Sequence, residues 1–305
     1  MSSHKVAILL RTRNRPLFLR RALDSLAGQS FQDFRIHVIN DGGDQALLEA
    51  CVAEQGKLWG ERLSCVNLPR SVGRSKALAL ALAVSDEPYI LIHDDDDTLE
   101  PSFLAETVAF LERDGTGFYA GVTTSNYDVY ERVEDGQIIT DRKTDQFGRK
   151  SGSLVDYGLY LSHMYVIMPI TFLFRRAALT VAGGVETRLD YVEDHDLFLR
   201  VMMAGEVGIL EEFLCSYHHR LATGDANDAS QHEVTHDYEL AYKNGIIRKA
   251  MQGGDRLRQM QAGFIQGNHL GRSQLGQLSR QVAQLQEGFA SLSQVMVELL
   301  GHIRR

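Results

Sequence analysis

Four consecutive aspartates, Asp94, Asp95, Asp96 and Asp97, follow directly on the apolar stretch Tyr89-Ile90-Leu91-Ile92-His93. A hard divalent cation such as Mg2+ or Mn2+ takes carboxylate oxygens and shares its shell with substrate phosphates, so carboxylates gathered at a strand end suit metal-assisted phosphate chemistry. Side chains alternate along a strand, which predicts that Asp94 and Asp96 face one ligand together. Read blandly, the run is a solvated acidic turn capping the next helix. On its own it leaves nuclease, phosphatase and transferase open. A second group is Asn40-Asp41-Gly42-Gly43-Asp44. Its glycines permit a tight turn, and Asp41 is placed to accept hydrogen bonds from a base or ribose; the same residues also make an ordinary turn. The third is Glu193-Asp194-His195-Asp196, ahead of Leu197-Phe198-Leu199-Arg200. Carboxylates at a helix start are commonly caps.

Three segments so far apart in the chain reach one place only if the elements between them deliver each to the same edge. The first hundred residues alternate β-branched runs with helical patterns, the signature of βαβ units and a parallel sheet. Strands are predicted over 6–10, 35–40, 63–67 and 89–93, with helices over 16–26, 45–57 and 74–84. Open sheets of this kind bind ligands at the carboxyl ends of their strands, where the aspartate run begins. After Pro101 the pattern turns strand-rich, with a strand over 118–125 and a hairpin turning at Asp135-Gly136 between 128–134 and 137–140. The sheet is therefore expected to be mixed in its second half. The polar stretch 141–153 has the character of an active-site lid. A strand over 171–174, the pair Gly183-Gly184 and a helix over 193–204 follow, and beyond Ser216 the composition turns polar.

Bulk composition narrows the field. Acidic residues outnumber basic ones 40 to 32, a net charge of -8, which gives no electrostatic footprint for nucleic acid. Cys51, Cys65 and Cys215 are odd in number and lack any C-x-x-C spacing, so neither a disulfide framework nor a zinc site is expected. No signal peptide is visible, and the longest apolar run, 77–84, is far short of the roughly 20 residues of a membrane span. The expected location is cytoplasmic, with membrane contact at most peripheral to the inner face.

The ordered set of motifs resembles the family 2 glycosyltransferases of the GT-A fold, an inverting group. The resemblance covers residues 5–220 and rests on Leu10-Arg-Thr-Arg-Asn-Arg-Pro16, Ala22-Leu-Asp-Ser-Leu-Ala-Gly-Gln29, Val38-Ile-Asn-Asp-Gly-Gly-Asp44, Gly73-Arg-Ser-Lys-Ala77, the segment from Tyr89 through the aspartates to Pro101, and Phe174 through Gly183-Gly184 to Arg200. It implies that Thr12, Asn14 and Arg15 lie along a nucleotide and that Asp41 binds its base or ribose. Asp94-x-Asp96 matches the family's D-x-D motif, with Asp96 as metal ligand and Asp94 and Asp95 nearer the nucleotide. Asp194 matches the general base of the E-D motif. His218 and His219 lie near a late strand where one histidine can complete the metal shell; His219 is carried as the ligand, with the choice between the two open. Two positions depart from the pattern. Arg11 stands where the family often has Pro, and Leu78-Ala79 where it often has Arg-Asn, leaving Arg74 and Lys76 to supply positive charge near the donor.

The expected protein is thus α/β: a GT-A, Rossmann-like sheet, mostly parallel with a mixed second half, over 1–225, then a helical extension over 226–268 and a coiled-coil helix over 269–305. The expected activity is metal-dependent transfer, with Mn2+ or Mg2+, from a nucleotide diphosphate sugar, UDP foremost, to a saccharide or glycoconjugate hydroxyl. Two other classes remain on the sequence alone. A sugar-nucleotide nucleotidyltransferase would want a glycine-rich loop after the first strand, and 11–16 has no glycine. A non-catalytic GT-A scaffold is the other, and the retention of Asp96 and Asp194 speaks against it. In the tail, Leu275, Leu278, Val282, Leu285, Phe289, Leu292, Met296, Leu299 and Ile303 alternate spacings of three and four, a heptad seam predicting a homo-oligomer through 272–305.

Overall fold

The computed structural model describes residues 4–161, 165–189, 191–220 and 242. The expected helical extension, apart from Tyr242, and the expected coiled coil lie outside them.

Three βαβ crossovers open the chain. They run β1 (Val6–Thr12), α1 (Pro16–Ala27), β2 (Phe34–Asn40), α2 (Gln45–Trp59), β3 (Leu63–Asn67), α3 (Arg74–Ala83) and β4 (Tyr89–Asp94). The four strands are parallel, side by side as β3-β2-β1-β4. Each helix forms because its apolar residues recur on one stripe. In α1, Pro16 starts the first turn and Leu19, Ala22, Leu23 and Leu26 are buried. In α3 the buried stripe is small, with Ala77 and Ala81 beside Leu78 and Leu82. Register places Arg11 beside Asp94 on one neighbouring strand and Ile39 on the other, and Thr12 beside Asn40.

The second half is mixed. A short β5 (Thr98–Leu99) and α4 (Phe103–Arg113) lead to the long β6 (Tyr119–Glu134) and to β7 (Gln137–Thr144); α5 (Tyr157–Leu161), β8 (Phe172–Arg175), α6 (Arg176–Ala182), α7 (Glu193–Val201) and β9 (Glu206–Arg220) follow. The sheet reads β3-β2-β1-β4-β8-β6-β9-β5, with β7 on β6. Only β8 and the short β5 run antiparallel to their neighbours along this path, since β6 and β9 pair in parallel. Val6, Ile8, Leu10, Ile36, Val38 and Leu91 pack on one face against α1, α2 and α4. Ala7, Leu9, Ile39, Ile90 and Ile92 pack on the other against α3, α6 and α7. Burying a Leu- or Ile-sized side chain contributes about 1.5–3 kcal/mol, so this double layer is what makes the strand ends a rigid platform.

Three expectations change. The strands read over 118–125 and 128–134 are one, β6, which continues through the polar Thr123-Thr124-Ser125-Asn126, all buried. The segment after β7 explains why. Asn126 N–H donates to Gly148 O (3.1 Å) and Lys150 N–H to Ser125 Oγ (2.9 Å), satisfying polar groups that otherwise mark a loop. Accordingly 141–153 is no free lid: its start is strand β7, and its remainder is pinned across β6 and tied to β9, where Ile209 N–H donates to Ser153 O (3.1 Å). Finally, β9 runs past Ser216 to Arg220, so the two histidines sit on a strand.

Candidate active site

The aspartate run is a turn and not an extended strand end. Asp97 N–H closes on Asp94 O (3.4 Å), and alternation stops after Asp94. The four carboxylates therefore fan out, each to a different partner. Asp94 Oδ1 takes Arg11 Nη2 at 2.6 Å and its Oδ2 faces Arg74 Nη2 at 3.4 Å. Asp95 accepts from Thr12 Oγ1 (2.7 Å) and Arg15 Nη1 (3.0 Å). Asp96 Oδ2 pairs with Arg220 Nη2 at 2.9 Å. Asp97 Oδ1 accepts from the His218 N–H at 2.9 Å. Against the cost of burial, which favours the neutral acid, the Arg11 and Arg74 charges hold Asp94 well below the usual carboxylate range. Burial dominates at Asp97 and, with the neighbouring Asp96 and Asp94 charges, pushes its carboxyl well up. Burial likewise raises Asp95, so Asp94, held ionised, stands beside carboxyls that burial drives toward their neutral form.

The start of α7 comes to the same edge. Glu193, 1% exposed, binds Arg11 Nη1 at 2.7 Å and lies 3.4 Å from Arg74 Nε. Asp194 Oδ1 accepts from the His195 N–H at 2.8 Å. Its carboxyl is pushed up to about 6, first by burial and then by the Glu193 charge, with Arg74 opposing. The residue before the pair, Val192, has φ 57°, a left-handed conformation that a β-branched side chain adopts only under strain. Strain of about 1–3 kcal/mol is thus held where the acidic pair begins.

On the other side, the ends of β1 and β2 with α1 and α2 border a shallow, half-open cleft lined by Thr12, Asn14, Arg15, Asn40 and Asp44 among others. Asn14, at φ 56°, accepts from Asp44 N–H through its Oδ1 (2.7 Å). Asp41 adjoins this edge, but its two oxygens already serve Ser71 Oγ (2.7 Å), Val72 N–H (2.7 Å) and Gly73 N–H (3.2 Å). It closes the loop that carries Arg74 into the site.

The two histidines separate by strand alternation. His218 faces the aspartates: its Nδ1 meets Glu131 Oε2 at 2.8 Å and its Nε2 meets Thr98 Oγ1 at 3.0 Å. His219 points to the opposite face of β9, where its Nε2 meets Asp128 Oδ1 at 2.9 Å and its ring stacks on Tyr130 at 4.5 Å. Of the two histidines, His219 thus stands with Asp128 and Tyr130, whereas His218 is the one whose backbone reaches the aspartate turn, through Asp97. The same strand offers Arg220. Arg21 adds a second cation, bound to Glu131 through both Nη atoms (2.6 and 2.9 Å) and to the Asp96 carbonyl (2.5 Å). Sequence reasoning missed Arg21, Glu131 and Arg220. Their only local signal was charge at otherwise apolar positions of a helix and two strands.

A model of the glycosyl transferase family 2 matches residues 7–180, more than half of the chain. An uncharacterized glycosyltransferase of Haemophilus influenzae is 27% identical over 201 residues, covering 66% of this chain and 69% of that protein. Residues 1–349 of S. aureus TarS superpose with a TM-score of 0.60 at 16% identity, over 88% of this chain and 72% of the other. The same protein solved with UDP-GlcNAc gives 0.58 at 16%, over 86% and 70%. The mannosyltransferase PcManGT from Pyrobaculum calidifontis, in complex with GDP-Man and Mn2+, gives 0.53 at 15%, over 82% and 62%. At these identities the solved structures share the fold, a GT-A sheet. The family match carries more: this chain belongs to glycosyltransferase family 2 and is a glycosyltransferase.

Proposed function

We propose that the chain transfers a sugar, with inversion, from a nucleotide diphosphate donor to the hydroxyl of a saccharide or glycoconjugate acceptor. The observation that carries this reading is the contrast between two carboxylates at one edge: Asp94, held ionised by two arginines, and Asp194, raised to about 6. A general base works best when its pKa lies near the operating pH, which suits Asp194 to take the acceptor proton as its oxygen attacks the anomeric carbon. Thr12, Asn14 and Arg15 line the cleft where a nucleoside would lie, and Arg74, half-exposed, is free to turn toward a diphosphate. UDP is the nucleotide we favour, in line with the TarS complexes; GDP, held by PcManGT, is the alternative.

The donor set also suits Mn2+ or Mg2+, which needs only one or two carboxylates when phosphates complete its shell. Asp96, whose ion pair with Arg220 is made through Oδ2, is the ligand we propose, with Asp94 beside it. When bound, the cation supplies charge neutralisation for the departing diphosphate. The test is a panel of UDP- and GDP-sugars, with and without Mn2+, scored for release of nucleotide diphosphate. Release from none of them in the presence of saccharide acceptors would overturn the reading.

A further inference from the structure

Arg11 occupies an unusual place. It lies at the end of the central strand β1, beside Asp94 in register, and is only 7% exposed. One guanidinium nitrogen holds Asp94 Oδ1 at 2.6 Å; the other holds Glu193 Oε1 at 2.7 Å and the Arg74 carbonyl at 3.2 Å. It therefore ties together three segments: the end of β4, the start of α7 and the start of α3. Arg74 touches the same two carboxylates, but at 3.4 Å each and with a side chain 52% exposed. The geometry separates a fixed cation from a loose one. A planar, two-pronged head buried between two carboxylates has one orientation that satisfies both, and it leaves neither acid free to turn.

We propose that Arg11 is a positioning residue: it braces the acidic end of β4 against Glu193, and so fixes where Asp194 stands relative to the donor's diphosphate. The inference rests on the reading of Asp194 as base. Two consequences follow from the charges alone. Arg11 and Arg74 face three carboxylates, Asp94, Glu193 and Asp194, and both arginines contact the first two. Asp194 is left as the least compensated of the three, the acid with negative charge to spare for a proton. The loose Arg74 can leave for the diphosphate without releasing either carboxylate, because Arg11 holds both.

Four variants of the full chain test this: Arg11→Lys, Arg11→Met, Arg11→Met with Glu193→Gln, and Asp194→Asn. Turnover is read as Mn2+-supported hydrolysis of whichever of UDP-GlcNAc, UDP-glucose and GDP-mannose the native chain consumes fastest. Lysine keeps the charge but reaches one carboxylate, so kcat is expected to fall about 30-fold or more with KM for donor within about threefold. Arg11→Met loses both turnover and melting temperature. Adding Glu193→Gln removes the orphaned buried carboxylate, and melting recovers while kcat does not. Recovery of kcat together with melting would mean that the brace serves stability alone, and the proposal fails. Native turnover in Asp194→Asn sinks the base assignment; native turnover in Arg11→Lys beside an inactive Asp194→Asn sinks the brace. Hydrogen exchange needs no donor and gives an independent reading. Arg11→Lys is expected to lose protection in the peptides over 91–97 and 193–200 together, and a change in only one of them, or in neither, overturns the proposal.

Discussion

Asp194 and Asp94 are the same residue type at one edge of one sheet, yet their surroundings drive them in opposite directions. Burial acts on both; two arginines within 3.4 Å overcome it at Asp94, whereas at Asp194 the adjacent Glu193 reinforces it. A base titrating at about 6 is protonated below that pH. Turnover should therefore fall about tenfold per pH unit on the acid side of 6, where an ordinary aspartate would hold its activity down to about 4. A pH–rate profile flat from 7 to 5 would contradict it. Asp194→Asn should lower kcat at least ~100-fold with little change in donor affinity. Stability moves the other way. A carboxyl whose folded pKa lies above its unfolded one contributes stability below about pH 4 and loses it as the pH rises through 6. Asp194→Asn should thus be at least as stable as the native chain to urea at pH 7, though inactive. Asp96 calls for a different substitution, because Arg220, itself 7% exposed, depends on it. Asp96→Asn keeps an acceptor for that guanidinium while removing ligand charge. Calorimetry should show Mn2+-supported UDP binding lost with melting nearly unchanged; native binding would remove Asp96 from the metal shell.

At the scale of elements, the site is made by two loops that neighbouring elements hold taut. Gly42, at φ 71°, lies against the backbone of Arg70 and Ser71, where a Cβ has no room. Together with the bonds from Ser71, Val72 and Gly73 to Asp41, this close approach fixes the entry to α3 and hence Arg74. Gly42→Ala should cost more than about 1 kcal/mol in urea unfolding, from positive φ and displaced backbone together, and should weaken donor binding through Arg74. Unchanged stability would mean that the loop has another conformation of equal energy. Much of this architecture was legible beforehand. The strands over 6–10, 35–40, 63–67 and 89–93 are apolar runs closed by turn residues, and the structure extends them by at most a few residues. What escaped was set by partners distant in sequence. Asn126 in the middle of β6 reads as a break until Gly148 supplies its acceptor, and Arg11 reads as a stray charge until Asp94 and Glu193 arrive from 83 and 182 residues away. Alternation ends at Asp94, two residues short of the Asp96 it was to pair with, because a turn and a strand end look alike in a run of one residue type.

The whole molecule joins an acidic sheet domain to a tail of different character. Among the described residues no helix is long and apolar enough to cross a membrane. The tail lies beyond the described residues and is read from its sequence pattern. Leu275, Val282, Phe289, Met296 and Ile303 fall at one heptad position, and Leu278, Leu285, Leu292 and Leu299 at the other, the seam of a left-handed coiled coil. The flanking Gln274, Gln281 and Gln286 carry no charge to select a partner or strand number, and Phe289 and Met296 are too irregular in shape to enforce one packing. A lipid surface would want Lys and Arg on the polar face, where Gln and Ser predominate. We infer self-association as the use of such a stripe, because two or three copies can bury it against one another; packing on the chain's own sheet domain is the alternative. Light scattering should give a dimeric or trimeric mass for the full chain and a monomeric mass for a chain ending at Gly267, with donor hydrolysis per chain equal in both. Equal monomeric masses would exclude the self-associating seam, and lost hydrolysis in the shorter chain would mean that the tail contributes to the site itself.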